Sequence, residues 1–139
     1  TTGHDIKRGY LTQEQNDIPQ QHNAVNYIQS LLPKDETSIR NFLARYLFTA
    51  DKVNQPIASL SNGEKKHLAL AGLVFSGCNV LFLDEPLNHL DIPSREQIQA
   101  ALQQFTGTVL VVEHDPYFIR TYPNQEWKIE KGKVQILPG

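Results

Sequence analysis

The chain contains no methionine, a single cysteine and no GxxxxGK[ST] stretch, and each absence narrows what it can be. Cys78 stands alone and cannot close an internal disulfide, which excludes a disulfide-stapled secreted scaffold. No apolar run approaches the roughly 20 residues that a membrane-spanning helix needs, and the amino end is polar rather than signal-like. A reducing, cytoplasmic setting is therefore expected. Without an initiator methionine, and opening in a polar stretch, the chain reads as one with a processed or cut-down N-terminus. Net charge is small as well. At −2, with a pI near 6.2, the whole chain has no pull towards nucleic acid, so any RNA contact must be local. His4, His22 and Cys78 lack the spacing of a metal site. Lacking a glycine-rich lysine loop, the sequence has no cradle of its own for a nucleotide's phosphates.

What is present fits one folded unit: 139 residues, 40% hydrophobic and 20% charged, enough to bury a modest core. Residues 6–11 are short and half apolar, predicting a strand, and a polar loop with Pro19 follows over 12–23. Val25, Ile28, Leu31 and Leu32 recur at helical spacing up to Pro33, and Ile39, Phe42, Leu43, Tyr46 and Leu47 do the same over 37–48. A third helix is predicted from Ser61, where Ser61 and Glu64 have capping-box spacing, to Gly77. Residues 80–83 are wholly apolar, the pattern of a strand buried on both faces of a parallel sheet. Helical spacing resumes over 94–105, Gly107 ends it, and 108–112 reads as a second buried strand. Strand, helix and strand in that order imply a right-handed parallel crossover. The tail, 126–137, alternates around Lys131 and Gly132 as a hairpin. The expected class is thus α/β, with parallel strands and helices, a small helical subdomain at about 20–75, a core remainder over 76–139 and a C-terminal β-hairpin.

Asp84 and Glu85 leave the first buried strand at its carboxyl end, where ligands bind in open α/β sheets. An aspartate there can hold a hydrated Mg²⁺ that bridges phosphate oxygens, and the neighbouring glutamate can orient an attacking water or take its proton. Two acids that simply open a turn before Pro86 are the plain alternative. His114 follows the next strand at the corresponding end, so Glu85 and His114 are expected within reach of one substrate. A histidine placed so can contact a terminal phosphate oxygen and help position the water, or merely end a strand. Asp115 reads as a helix cap. In LSNGE, 60–64, Ser61 and the N–H groups of Asn62 and Gly63 open a helix whose positive end favours an anion, and Gly63 lets a phosphate approach the main chain. Taken singly, the same residues are an ordinary capping box. Gln13, after the first strand, can ligate Mg²⁺ or sense a nucleotide, or be a solvated loop residue. Lys65, Lys66 and His67 are expected on a solvated helix face, with RNA phosphate as the lesser alternative.

LSNGE, VLFLDEP at 80–86, LNHLD at 87–91 and VVEHD at 111–115 resemble the signature, Walker B, D-loop and switch-histidine motifs of an ATP-binding cassette (ABC) ATPase, in that order. YLTQE, 10–14, resembles its Q-loop, so the likeness runs from about residue 7 to the hairpin. Within the superfamily, the NHLD form, the LQQFTGTVLVVEHD approach and the HDPYFI continuation resemble the ABC-F group. These are translation factors and antibiotic-resistance proteins that act on ribosomes and have no membrane domain. The resemblance implies a partial P-loop NTPase domain of the ABC type that works with ATP and Mg²⁺. It implies that Asp84 takes Mg²⁺, Glu85 is the catalytic base, His114 the switch histidine, Gln13 the Q-loop residue and further Mg²⁺ ligand, and Asp91 the D-loop contact. Ser61 and Gly63, with Asn62 between them, would meet the γ-phosphate of ATP held on a different cassette.

The sequence departs from that pattern at several positions. Asn62 stands where a second glycine or small residue is usual, Leu87 where threonine is usual and Glu113 where serine is usual. Glu113 brings a carboxylate beside His114 and is expected to favour the imidazolium. The missing phosphate loop is the largest departure. Two cassettes of such an ATPase close head to tail, each lending its signature to the other's ATP, so this chain could complete a partner's site while binding little ATP by itself. The implied partners are a second ABC nucleotide-binding domain and the ribosome with its rRNA, without insertion into a membrane. Self-association or swapping is also expected, because the strand and helix that complete such a sheet are lacking. The competing readings are the ATPase subunit of an ABC membrane transporter and a noncatalytic truncated cassette acting as a binding module. Retention of both Asp84 and Glu85 speaks against the last.

Overall fold

The computed structural model describes residues 5–12, 18–121, 123 and 126–137. Strands β1 (Arg8–Leu11), β2 (Val80–Asp84) and β3 (Thr108–Val112) form a parallel sheet in that order. Between β1 and β2 the chain makes α1 (Ala24–Leu31), α2 (Glu36–Arg45), α3 (Ala50–Val53) and α4 (Asn62–Phe75). Helix α5 (Ile92–Gln104) joins β2 to β3, and α6 (Pro116–Thr121) precedes an antiparallel hairpin of β4 (Glu126–Glu130) and β5 (Lys133–Leu137). The α/β class, the parallel strands and the terminal hairpin are as the sequence pattern implied. Helix α3 and a 3-10 turn at Ile57–Ser59 are additions, each too short to carry a helical period.

Caps explain where the helices begin. Asn23 accepts from the Asn26 N–H at 2.8 Å and Asp35 from the Ser38 N–H at 3.0 Å, satisfying donors that the first turns of α1 and α2 leave open. At α4 the capping box is reciprocal: the Glu64 N–H donates to Ser61 Oγ at 3.1 Å and the Ser61 N–H to Glu64 Oε1 at 3.0 Å. That helix ends at Gly77, whose φ of 88° is the left-handed turn that glycine adopts without a steric penalty. Lys131 and Gly132, at φ 50° and 75°, form the left-handed pair that a two-residue hairpin turn requires.

One face of the sheet is the core. Leu11 lies beside Leu83, and Leu81 beside Val109; these pack with Leu68 and Leu70 of α4, Ile98 of α5, and Ile28, Ile39 and Leu43 of the helices before them. Helix α4 comes so close to β1 that a Cβ on Gly9 would lie 3.0 Å from both Cys78 Sγ and a Leu73 methyl. On the other face Tyr10, Phe82 and Leu110 run side by side, with Val112 beyond them. The Tyr10 and Phe82 rings stack at 4.9 Å, and Tyr10 and Val112 remain 61% and 55% exposed. This face of the sheet is an exposed apolar surface.

The polar residues after the signature do not form the solvated face expected of them. Lys66 and His67 are buried, as are Leu68, Ala69, Leu70, Ala71 and Gly72, because α4 is enclosed by neighbours on several sides. His67 packs against the rings of Tyr46 at 5.3 Å and Phe48 at 6.1 Å. Burial pushes its pKa down to about 4.

Candidate functional site

The site begins where β2 ends. Asp84 closes the strand with its side chain exposed, and the Glu85 N–H extends the ladder by one bond, donating to the Val112 carbonyl at 2.8 Å. Glu85 then turns into the left-handed region at φ 46°, a conformation that costs a non-glycine residue about 1 kcal/mol or more and persists only where its surroundings hold it. The Asn88 N–H donates to the Glu85 carbonyl at 3.1 Å, and Asn88 Nδ2 lies 3.5 Å from Glu85 Oε2. His114, leaving β3 at the same edge, places Nε2 3.3 Å from Glu85 Oε1 with the imidazole largely in solvent. The acid and the imidazole are therefore brought together, although 29 positions separate them in sequence.

Glu113 departs from expectation. Its carboxylate is not directed at the imidazole but at backbone donors: Oε1 accepts from the N–H groups of His114 at 3.0 Å and Asp115 at 3.3 Å, and Oε2 from the Leu87 N–H at 3.4 Å. The carboxylate that meets His114 is that of Glu85. Asp115 does cap α6, accepting from the Phe118 N–H at 3.0 Å, and it also pairs with Arg95 at 3.3 Å. Lys66, buried on α4, is within electrostatic reach of this edge. Burial pushes its ammonium below the ordinary lysine value, and the carboxylates of Glu113, Asp84 and Glu85 push it back up. No spacing in the sequence links Lys66 to those acids; only the packing of α4 brings its charge near them.

The signature residues lie elsewhere, at the entry to α4. Ser61 and Asn62 are exposed and Gly63 is buried. Glycine is required at 63 for a reason the sequence did not suggest: a Cβ would lie 2.3 Å from Ser94 Oγ and 2.6 Å from Ser94 Cβ, because the first turns of α4 and α5 abut. Asp91 caps α5, accepting from the Ser94 N–H at 2.9 Å, and the Ser94 hydroxyl and N–H hold its carboxyl below the usual range. Ser61 and Asp91 share a cavity of about 250 Å³ with Tyr46, Glu64, His67 and Ser94. Glu64 also pairs with Lys52 at its rim. The candidate residues thus form two groups, Asp84, Glu85 and His114 on the sheet edge, and Ser61, Gly63 and Asp91 between α4 and α5. Gln13 lies outside the described residues.

Among the described residues no group of three or more His, Cys, Asp or Glu side chains can enclose a metal ion. An exposed Asp84 carboxylate at a strand end fits instead an ion that keeps several waters and takes further ligands from phosphate, which is the habit of Mg²⁺. No helix among the described residues is long and apolar enough to cross a membrane.

The architecture is shared with cbiO1 of Clostridium perfringens, part of the ABC transporter complex cbiONQ. Its solved structure aligns at a TM-score of 0.73 over 92% of this chain and 55% of that one, with 23% identity. The fold is that of an ABC-type nucleotide-binding domain. A family model described as ABC transporter matches residues 3–88, and the chain belongs to that family. It is 36% identical over 127 residues to the ribosome protection protein VmlR of Bacillus subtilis, covering 91% of this chain and 23% of that protein. It is also 40% identical over 101 residues to ABC transporter F family member 5 of Arabidopsis thaliana, covering 73% of this chain and 15% of that protein. Its relatives thus include ABC-F proteins, and the chain spans less than a quarter of the length of the curated relatives it matches.

Proposed function

We propose that the chain is part of one cassette of an ABC-F-type ATPase, coupling ATP binding and hydrolysis to action on the ribosome in translation or in antibiotic protection. The observation that carries the hydrolytic half of this reading is the pairing of Glu85 with His114 at 3.3 Å on the carboxyl edge of the sheet. Glu85 would accept the proton of the attacking water, and His114 would donate to a terminal phosphate oxygen and keep that water in line. Asp84, with Gln13, would hold Mg²⁺, which when bound neutralises charge on the phosphate oxygens. Ser61, Asn62, Gly63 and Asp91 belong in this reading to a second half-site. Ser61 and Asp91 line a cavity to which Glu85 does not contribute, which supports this group serving ATP held by another nucleotide-binding domain. The helical subdomain, about 20–75, would then carry the signature to the partner, and 76–139 would carry the hydrolytic edge. The ribosomal half of the reading, and a cytoplasmic location with it, draws on the similarity to VmlR.

The test is Glu85→Gln in the full-length protein. ATP turnover should fall by at least about 100-fold, the scale of a lost general base, and the ATP-loaded variant should accumulate on ribosomes in sedimentation. Unchanged turnover would remove the role given to Glu85, and a full-length parent without ATP turnover would leave the noncatalytic binding module. Retention on membranes instead of ribosomes would favour the ATPase subunit of a transporter.

A further inference from the structure

We propose that Glu113 is a positioning residue of the hydrolytic edge, tying the loop that carries His114 to the loop that carries Glu85 and so setting the imidazole against the acid. The proposal rests on the roles given above to Glu85 and His114. It starts from where the Glu113 carboxylate goes. One oxygen takes the N–H groups of His114 and Asp115, at 3.0 and 3.3 Å, and the other takes the N–H of Leu87, two residues beyond Glu85, at 3.4 Å. A single side chain therefore gathers donors from both loops.

The residue on the other side of His114 in sequence makes a second tie. Asp115 reaches Arg95 on α5 at 3.3 Å while capping α6. His114 is thus flanked by two carboxylates, each bound to the segment that begins at Glu85 and runs into α5. These ties have something to hold. The imidazole is 79% exposed, so packing does not fix it, and Glu85 sits in a left-handed conformation that relaxes if the loop is released.

A carboxylate is suited to this task and smaller groups are not. Its two oxygens accept from two directions at once, whereas a serine hydroxyl can serve the adjacent turn but is too short to span to Leu87. Untied, the loops are free to shift, and a misplacement of about 1 Å at a reacting centre costs on the order of 100-fold in rate. Glu113 touches neither substrate nor water in this scheme; it acts through His114 and Glu85.

The experiment compares Glu113→Ala, Glu113→Gln and Glu85→Gln in the full-length protein, measuring kcat, KM for ATP and melting temperature. Glu113→Ala should lower kcat by about 10- to 100-fold at temperatures far below melting, with KM within about two-fold of the parent. Glu113→Gln, which keeps the volume and one acceptor oxygen, should fall between the two. A lowered melting temperature with parental kcat would mean that the tie only stabilises the fold, and would overturn the proposal; so would a change confined to KM. If Glu113→Ala does not fold, Glu113→Gln decides alone, and parental kcat there is likewise fatal. Normal turnover by Glu85→Gln would instead sink the underlying reading, whereas an inactive Glu85→Gln beside a fully active Glu113→Ala would sink this inference only.

Discussion

Acid should destabilise the protein through His67 before its carboxylates are touched. The ring is 4% exposed, packed between Tyr46 and Phe48, and burial lowers its pKa from 6.5 to about 4. Below pH 6.5 the unfolded chain binds a proton at this position, whereas the folded chain does not until about pH 4. The unfolded state therefore holds more protons across that window, and stability falls as pH drops through it, levelling off below about 4. At about 1.4 kcal/mol per pH unit the whole gap amounts to about 3 kcal/mol, of which about 2 kcal/mol is lost between pH 7 and pH 5. Against a typical total of about 5–15 kcal/mol this is a large share. Asp35 and Asp91 also contribute, their carboxyls held low by Ser38 and Ser94, but their contributions are lost only below the ordinary value of 3.8. Urea midpoints of the parent and of His67→Phe, taken at pH 7, 6 and 5, isolate the histidine. The stability difference between the two should change by about 2 kcal/mol over that range. Parallel pH curves would show that the ring is not buried in its neutral form, and would refute the reasoning.

Two further outcomes test the packing. Gly63→Ala should destabilise by about 1–3 kcal/mol, the scale of an overpacked contact, because its methyl would meet Ser94 at 2.3 Å. The double variant Gly63→Ala/Ser94→Gly should recover most of that loss in thermal melting, and failure to recover would show that another contact demands the glycine. The open sheet face carrying Tyr10, Phe82, Leu110 and Val112 should make the 139-residue chain self-associate in sedimentation as concentration rises. Tyr10→Lys should weaken that association, and a monomer at high concentration in the parent would contradict it.

Much of the fold was legible because its signals are local. The apolar run before Asp84, the Ser61 and Glu64 pair and the Lys131–Gly132 turn each follow from a few adjacent residues, and each is found where the pattern put it. Asp115 as a cap was readable for the same reason. Lys66 and His67 were misread because a helix's polar positions say nothing about how many neighbours will enclose it. Glu113 was misread because the sequence shows that it adjoins His114 but not that its carboxylate turns back towards Leu87.

The residue order alone placed the candidate side chains at strand and helix ends, since an apolar run and a capping pair depend on near neighbours, but it did not show that β3, read as a buried strand, leaves none of its residues buried. Only the tertiary structure decided which of the candidates meet. The contact of Glu85 with His114, the seat of Glu113 between two loops and the demand for glycine at 63 all arise where β2 pairs with β3 and α4 lands on α5. Distances between chain-distant segments are set by packing the whole core, and no local pattern carries that information.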